Sequence, residues 1–123
     1  MPHQLIDAGP AGLDPEELAA LRANLEDQRR FRHDQLREFE RSAASRDLRP
    51  GERASPGQLE VHVQLAASAR MVLVDVEAAL ERMDRGGYGR CHRCGLPIPF
   101  ARLEIVPQAR YCGGCHRVKE TAH

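Results

Sequence analysis

The chemistry-bearing residues of this 123-residue chain are its four cysteines, arranged as Cys91-x-x-Cys94 and Cys112-x-x-Cys115 with 17 residues, Gly95 to Tyr111, between the pairs. Two thiolates separated by two residues can point at one tetrahedral ion. A second such knuckle at this distance completes the spacing of a zinc site. Four sulfurs leave Zn²⁺ no open position, so the site is expected to be structural, with one ion held by Cys91, Cys94, Cys112 and Cys115. Gly95 and the Gly113-Gly114 pair are read as allowing tight turns at the knuckles. His92 and His116 lie inside or beside the knuckles and are read as bystanders, since four thiols already suffice. Two disulfides would need an oxidising compartment, and a redox Cys-x-x-Cys usually sits in a βαβ context. The sequence supports neither.

No enzyme constellation accompanies the cysteines. There is no Gly-rich phosphate loop and no nucleophile with a His partner. With no Trp and only five Phe and Tyr residues among 29% charged positions, a nucleotide-binding α/β domain or a sizeable substrate cavity is not expected. No run approaches the ~20 apolar residues of a membrane span, and the start of the chain lacks a secretory pattern, so a cytoplasmic protein is expected. Net charge is zero, but residues 85–123 hold seven bases against two acids, a net of +5 and a modest local basic surface. The arginines Arg29, Arg30, Arg37 and Arg41 and the acids Glu16, Glu17, Glu77 and Glu81 read as solvated helix faces.

The elements that position the cysteines are helical. Residues 1–13 carry Pro2, Gly9, Pro10 and Gly12 without periodicity and read as a flexible tail. Asp14 as cap, Pro15 at the first helical position and Glu17 three residues after the cap open a helix over about 14–44. Its apolar stripe, Leu18, Leu21 and Leu25, weakens toward Phe39. Pro50-Gly51 and Pro56-Gly57 punctuate a loop over 45–55. Ser55 and Pro56 open a second helix over about 55–85, with Leu59, His62, Ala66, Ala69, Leu73, Val76, Leu80 and Met83 at heptad positions. Alternation at Val61, Val63 and Leu65 offers a strand instead, but the longer helical pattern outweighs it. Gly86-Gly87 ends the helix. The expected fold is mainly α: an antiparallel two-helix coiled-coil hairpin over 14–85, a small C4 zinc finger over 86–118 and a C-terminal tail over 119–123. The seam is strongest at the open end, where Leu18, Leu21 and Leu25 meet Leu73, Val76, Leu80 and Met83.

The string Tyr88-Gly89-x-Cys91-x-x-Cys94-Gly95-x-x-Ile98-Pro99-x-x-Arg102-Leu103-Glu104-x-x-Pro107-x-Ala109-x-x-Cys112-x-x-Cys115 resembles the C4-type zinc finger of the DksA/TraR family. The preceding hairpin matches that family's layout. The resemblance implies a bacterial cytoplasmic transcription regulator that binds RNA polymerase directly, inserts its hairpin into the secondary channel and does not recognise a DNA sequence. A monomer is expected. Two features depart from the family. Its tip motif, Asp-x-x-Asp-x-Ala, is matched only by Glu52-Arg53-Ala54, with Arg49 at the first acid and Asp47 nearby but out of step. Asp47 and Glu52 are therefore the candidate partner-contacting tip residues, in a loop of three bases and two acids. Positions that hold the alarmone (p)ppGpp in some members fall on Asp75, Val106 and His116, none of them Lys or Arg, so weak or absent alarmone synergy is expected. Rival readings are a zinc-ribbon module binding nucleic acid through its basic third and a coiled-coil adaptor with no role at polymerase.

Overall fold

The computed structural model describes residues 12–47 and 56–121. Four helices follow in order: α1 (Pro15–Asp47), α2 (Pro56–Arg85), α3 (Phe100–Ile105) and α4 (Gly113–Thr121). Among the described residues the only β pairing is an isolated bridge between Arg90 and Pro97.

The start of α1 follows from its first residues. Asp14 Oδ1 accepts from the Glu17 N–H at 2.7 Å, and Glu17 Oε1 accepts from the Asp14 N–H at 3.1 Å, a reciprocal capping box. Leu13, just before the cap, is 3% exposed and joins the core, and Leu18 packs against the same cluster. That is the placement of a hydrophobic staple, which fixes the angle at which the chain enters the helix. The tail reading for 1–13 is thereby corrected at its inner end: Leu13 is core because the capped turn points it at the hairpin seam. Residues 1–11 lie outside the described residues.

The two long helices run antiparallel, as the pairing of Arg22 with Asp84 (2.7 Å) and of His33 with Glu77 (3.6 Å) requires. With 33 residues, α1 makes a rod of about 50 Å. Leu21, Leu25, Val76, Leu80 and Met83 are buried at the open end, as the apolar pattern demands, and Ala79, which that pattern did not include, is buried beside them. Toward the loop the seam thins to Ala66 and Ala69, with the Phe39 and His62 rings 6.0 Å apart. Val61, Val63 and Leu65 are helical and exposed, so their alternation does not make a strand. The arginines of α1 pair along their own helix, Arg30 with Asp27, Arg37 with Asp34 and Arg41 with Glu38. Exposed pairs of this kind add little stability. Of the tip residues, Asp47 closes α1 with its side chain outside the described set, and Glu52 lies wholly outside it.

The end of α2 turns the chain into the finger. The Gly87 N–H reaches the Arg82 carbonyl at 2.9 Å and the Gly86 N–H the Met83 carbonyl at 3.3 Å. This paired closure needs a left-handed residue, and Gly86 supplies φ 83°. Tyr88 follows, fully buried, its hydroxyl donating to the Pro107 carbonyl at 2.7 Å. Burial, outweighing the nearby Arg82, pushes the phenol up to about 12 from its ordinary 10. An unfolded tyrosine ionises first, so unfolding releases a proton in this range. The stabilisation is intact below pH 10 and is lost as pH rises through 12. In an alkaline titration followed by phenolate absorbance, Tyr88 is expected to ionise near 12. Tyr88→Phe is expected to remove that late step and, by stranding the Pro107 carbonyl, to cost about 1–3 kcal/mol. Complete ionisation of both tyrosines near pH 10 in the folded chain would contradict this.

Candidate metal centre

The finger is two knuckles locked to each other and to the hairpin. In the first, the Gly95 N–H bonds the Cys91 carbonyl at 2.9 Å and the Cys91 N–H bonds the Leu96 carbonyl at 2.9 Å. Gly95 takes φ 76°, the left-handed turn that reverses the chain just after Cys94. Arg90 steadies this turn by donating to the Gly95 carbonyl at 3.2 Å. The second knuckle differs in construction. Gly113 and Gly114 are the first two residues of α4 rather than a turn. Cys112 stands at that helix's cap, its Sγ accepting from the Cys115 N–H at 3.5 Å and its carbonyl from the His116 N–H at 2.9 Å. The chain therefore presents Cys115 from a first helical turn. The helix runs to Thr121, which corrects the tail expected from 119: Lys119, Glu120 and Thr121 continue α4. The His92 N–H bonds the Arg110 carbonyl at 2.8 Å and joins the two knuckles.

This scaffold brings the four cysteine sulfurs within 4.8 Å of one another, and all four are free thiols. Cys91 and Cys115 are buried, Cys112 is half-buried and Cys94 exposed. Burial works against a thiolate at Cys91, yet N–H donors of Cys94, Cys112 and Arg93 outweigh it and draw the thiol down to about 6. Cys112 is also lowered, chiefly by the Cys115 N–H at the start of α4. Cys115 is pushed up to about 11, by its hydrogen bond with Cys112 and then by burial. Two depressed thiols and a donor-rich cage suit a metal that binds thiolates, and the set could hold one ion. His116 instead pairs with Glu120 at 2.5 Å, and His92 meets the Tyr111 ring edge-on at 6.1 Å.

One core serves both halves of the molecule. Leu13, Leu21, Leu25, Val76, Ala79, Leu80 and Met83 of the hairpin form a single cluster with Tyr88, Cys91, Ile98, Leu103 and Cys115 of the finger. Two ligand-bearing positions are thus also core positions, a coupling that heptad and cysteine spacing do not reveal. Against this junction lies an open cleft of about 360 Å³ lined by Asp75, Val106 and His116 together with Arg102, Arg110 and Lys119. It forms between α2 and the finger, so the scarcity of core-forming residues did not preclude it. Arg110 is held by Asp75 at 3.0 Å, and Lys119 sits 4.6 Å from the Tyr111 ring centre.

A helical hairpin closed by four clustered cysteines defines a C4 zinc-finger protein, and residues 86–120 match the prokaryotic dksA/traR C4-type zinc finger. The family model covers the finger, and the likeness in fold extends beyond it to the hairpin. Its structure is similar to that of transcription factor DksA2 from Pseudomonas aeruginosa, with a TM-score of 0.77 at 26% identity over 89% of this chain and 87% of that one. A DnaK suppressor protein from Agrobacterium tumefaciens C58 shares the fold, with a TM-score of 0.57 at 24% identity over 81% of this chain and 91% of the other. Among curated sequences, general stress protein 16O of Bacillus subtilis is 49% identical over 41 residues, 33% of this chain and 25% of that protein. An uncharacterized protein of Aquifex aeolicus is 46% identical over 43 residues, 35% of this chain and 30% of its own length. The chain thus spans less than a third of these two curated relatives.

Proposed function

We propose that this chain is a DksA-like transcription regulator that binds RNA polymerase directly and reaches into its secondary channel with the α1–α2 hairpin. The observation that carries this reading is the likeness to DksA2, a transcription factor, which extends over 89% of the chain and so includes hairpin and finger together. The shape supports it. A two-helix rod of about 50 Å suits a narrow channel, and a metal-closed knob at its base suits docking. In this reading one structural Zn²⁺ is held by Cys91, Cys94, Cys112 and Cys115, and the chain acts as a monomer in the cytoplasm. No described helix is long and apolar enough to cross a membrane.

The tip sets this regulator apart from doubly acidic relatives. Glu52, with Asp47 near it, supplies the carboxylate that could approach the Mg²⁺ ions of the polymerase centre, since hard cations take oxygen ligands. Arg46, Arg49 and Arg53 flank it in the sequence, so docking is kept while regulatory output shifts toward channel occlusion. Alarmone synergy is weak in this reading, because the cleft's Arg110 is already engaged by Asp75 and its Lys119 leans on Tyr111.

The test is retention of the purified chain by immobilised RNA polymerase, run beside its binding to a promoter fragment alone. Retention by polymerase is expected, with no tight binding to the free fragment. Tight binding to promoter DNA without polymerase, and failure of polymerase to retain the chain, would overturn the proposal.

A further inference from the structure

Arg93 occupies the second variable position of the first knuckle, between Cys91 and Cys94. Its side chain does not simply extend into solvent. One guanidinium nitrogen, Nη1, reaches the other knuckle and donates to Cys115 Sγ at 3.9 Å. Cys112 has its sulfur satisfied differently, by the backbone N–H at the head of α4. Cys115, whose own N–H is that donor, is the third residue of the helix and is 8% exposed. A side chain from across the site thus supplies to Cys115 what the backbone supplies to Cys112.

Four thiolates on one Zn²⁺ form a net dianion, half-enclosed by protein. Hydrogen bonds to ligating sulfurs spread that charge and orient the ligand, and such outer contacts commonly set metal affinity by 10–100-fold. A guanidinium does this with a full positive charge, which strengthens the bond and offsets part of the dianion. We propose that Arg93 is a positioning residue of the metal centre: it clamps the two knuckles together by holding the Cys115 thiolate on the ion. This rests on the assignment of the four cysteines as zinc ligands.

The experiment measures metal affinity of the full chain by competition with a chromogenic chelator. It compares wild type with Arg93→Gln, Arg93→Lys and Arg117→Gln. Arg117 is an exposed arginine on α4 of the same finger, its guanidinium beside Gly113 and, among the described residues, donating to no ligand sulfur, so its variant makes the same charge change without removing a sulfur contact. Arg93→Gln is expected to weaken zinc affinity about tenfold, the low end of the outer-contact range. Arg93→Lys is expected to recover much of the loss, and Arg117→Gln to change affinity less than twofold. With Co²⁺ as the probe, the sulfur-to-metal charge-transfer band of Arg93→Gln is expected to move to longer wavelength, because a sulfur without its donor releases an electron more easily. A merely structural role would not move that band. If wild type holds one zinc and Arg93→Gln matches it in affinity and in the cobalt band, or if Arg117→Gln loses as much, the role of Arg93 falls alone. A wild-type chain that binds no metal through its cysteines overturns the ligand assignment and this proposal with it.

Discussion

Stripping the metal with a strong chelator under reducing conditions is expected to unfold the finger cooperatively and to loosen the open end of the hairpin, while much of the helical circular-dichroism signal persists. The finger's own apolar filling is small: Tyr88, Ile98, Leu103 and Pro107 are its buried side chains apart from the cysteines. Metal binding in small fingers is worth roughly 10–16 kcal/mol, more than such a core supplies. The loosening spreads because Cys91 and Cys115 sit in one cluster with Leu25, Val76 and Met83. Amide exchange is therefore expected to accelerate first over 86–121, then at the end of α2 and the start of α1, and least in the middle of the long helices. Cys91→Ser should act in the same direction. An unchanged melting profile and exchange pattern after complete metal removal would show that the thiol cage is not a structural metal site.

The second large effect is expected from Leu25→Ala. Leu25 has no exposed surface and lies where the hairpin seam meets the finger. Truncation there removes apolar contacts to both halves and leaves a cavity that rigid neighbours cannot refill, a loss of about 2–5 kcal/mol. Val63→Ala is the matched control. Val63 is 67% exposed on α2, and its truncation is expected to change stability by less than about 0.5 kcal/mol. Urea denaturation of the metal-loaded protein measures both. A Leu25→Ala cost near that of Val63→Ala would mean that the shared core does not hold the molecule together.

Much of the architecture was legible because the signals involved are local. Asp14, Pro15 and Glu17 specify a capped helix start within four residues, and the reciprocal hydrogen bonds form as that pattern implies. Gly86-Gly87 encodes the closure of α2 in the same way. The Cys-x-x-Cys pairs declare their chemistry because two such knuckles at this spacing complete a set of four thiols for one tetrahedral ion. The heptad of α2 correctly placed Leu73, Val76 and Leu80 in the core and left Val74 and Glu77 exposed, but it did not mark Ala79, which is fully buried beside them.

Other features depended on distance in space. Leu13 reads as the end of a tail, since nothing before it is periodic, and only the seam above the capped turn makes it core. Gly113-Gly114 reads as a turn, since glycine disfavours helix interiors. Here the pair opens α4, where Cys112 caps the free N–H groups and a first turn tolerates glycine.

From the sequence by itself come the two long helices, the cap of the first, their seam, the four-thiol site and the resemblance that names its type; the Ser55 cap read for the second lies outside the described residues. Each rests on residues within a turn or a knuckle, where chain connectivity sets the geometry. Tertiary structure alone decided three further things. It merged finger and hairpin into one core, gathered Asp75, Val106 and His116 around a single cleft, and brought Arg93 to a sulfur 22 residues away. These depend on how the finger's fold directs it back against α1 and α2. No local pattern records that, because the contacts exist only once both helices and both knuckles are in place.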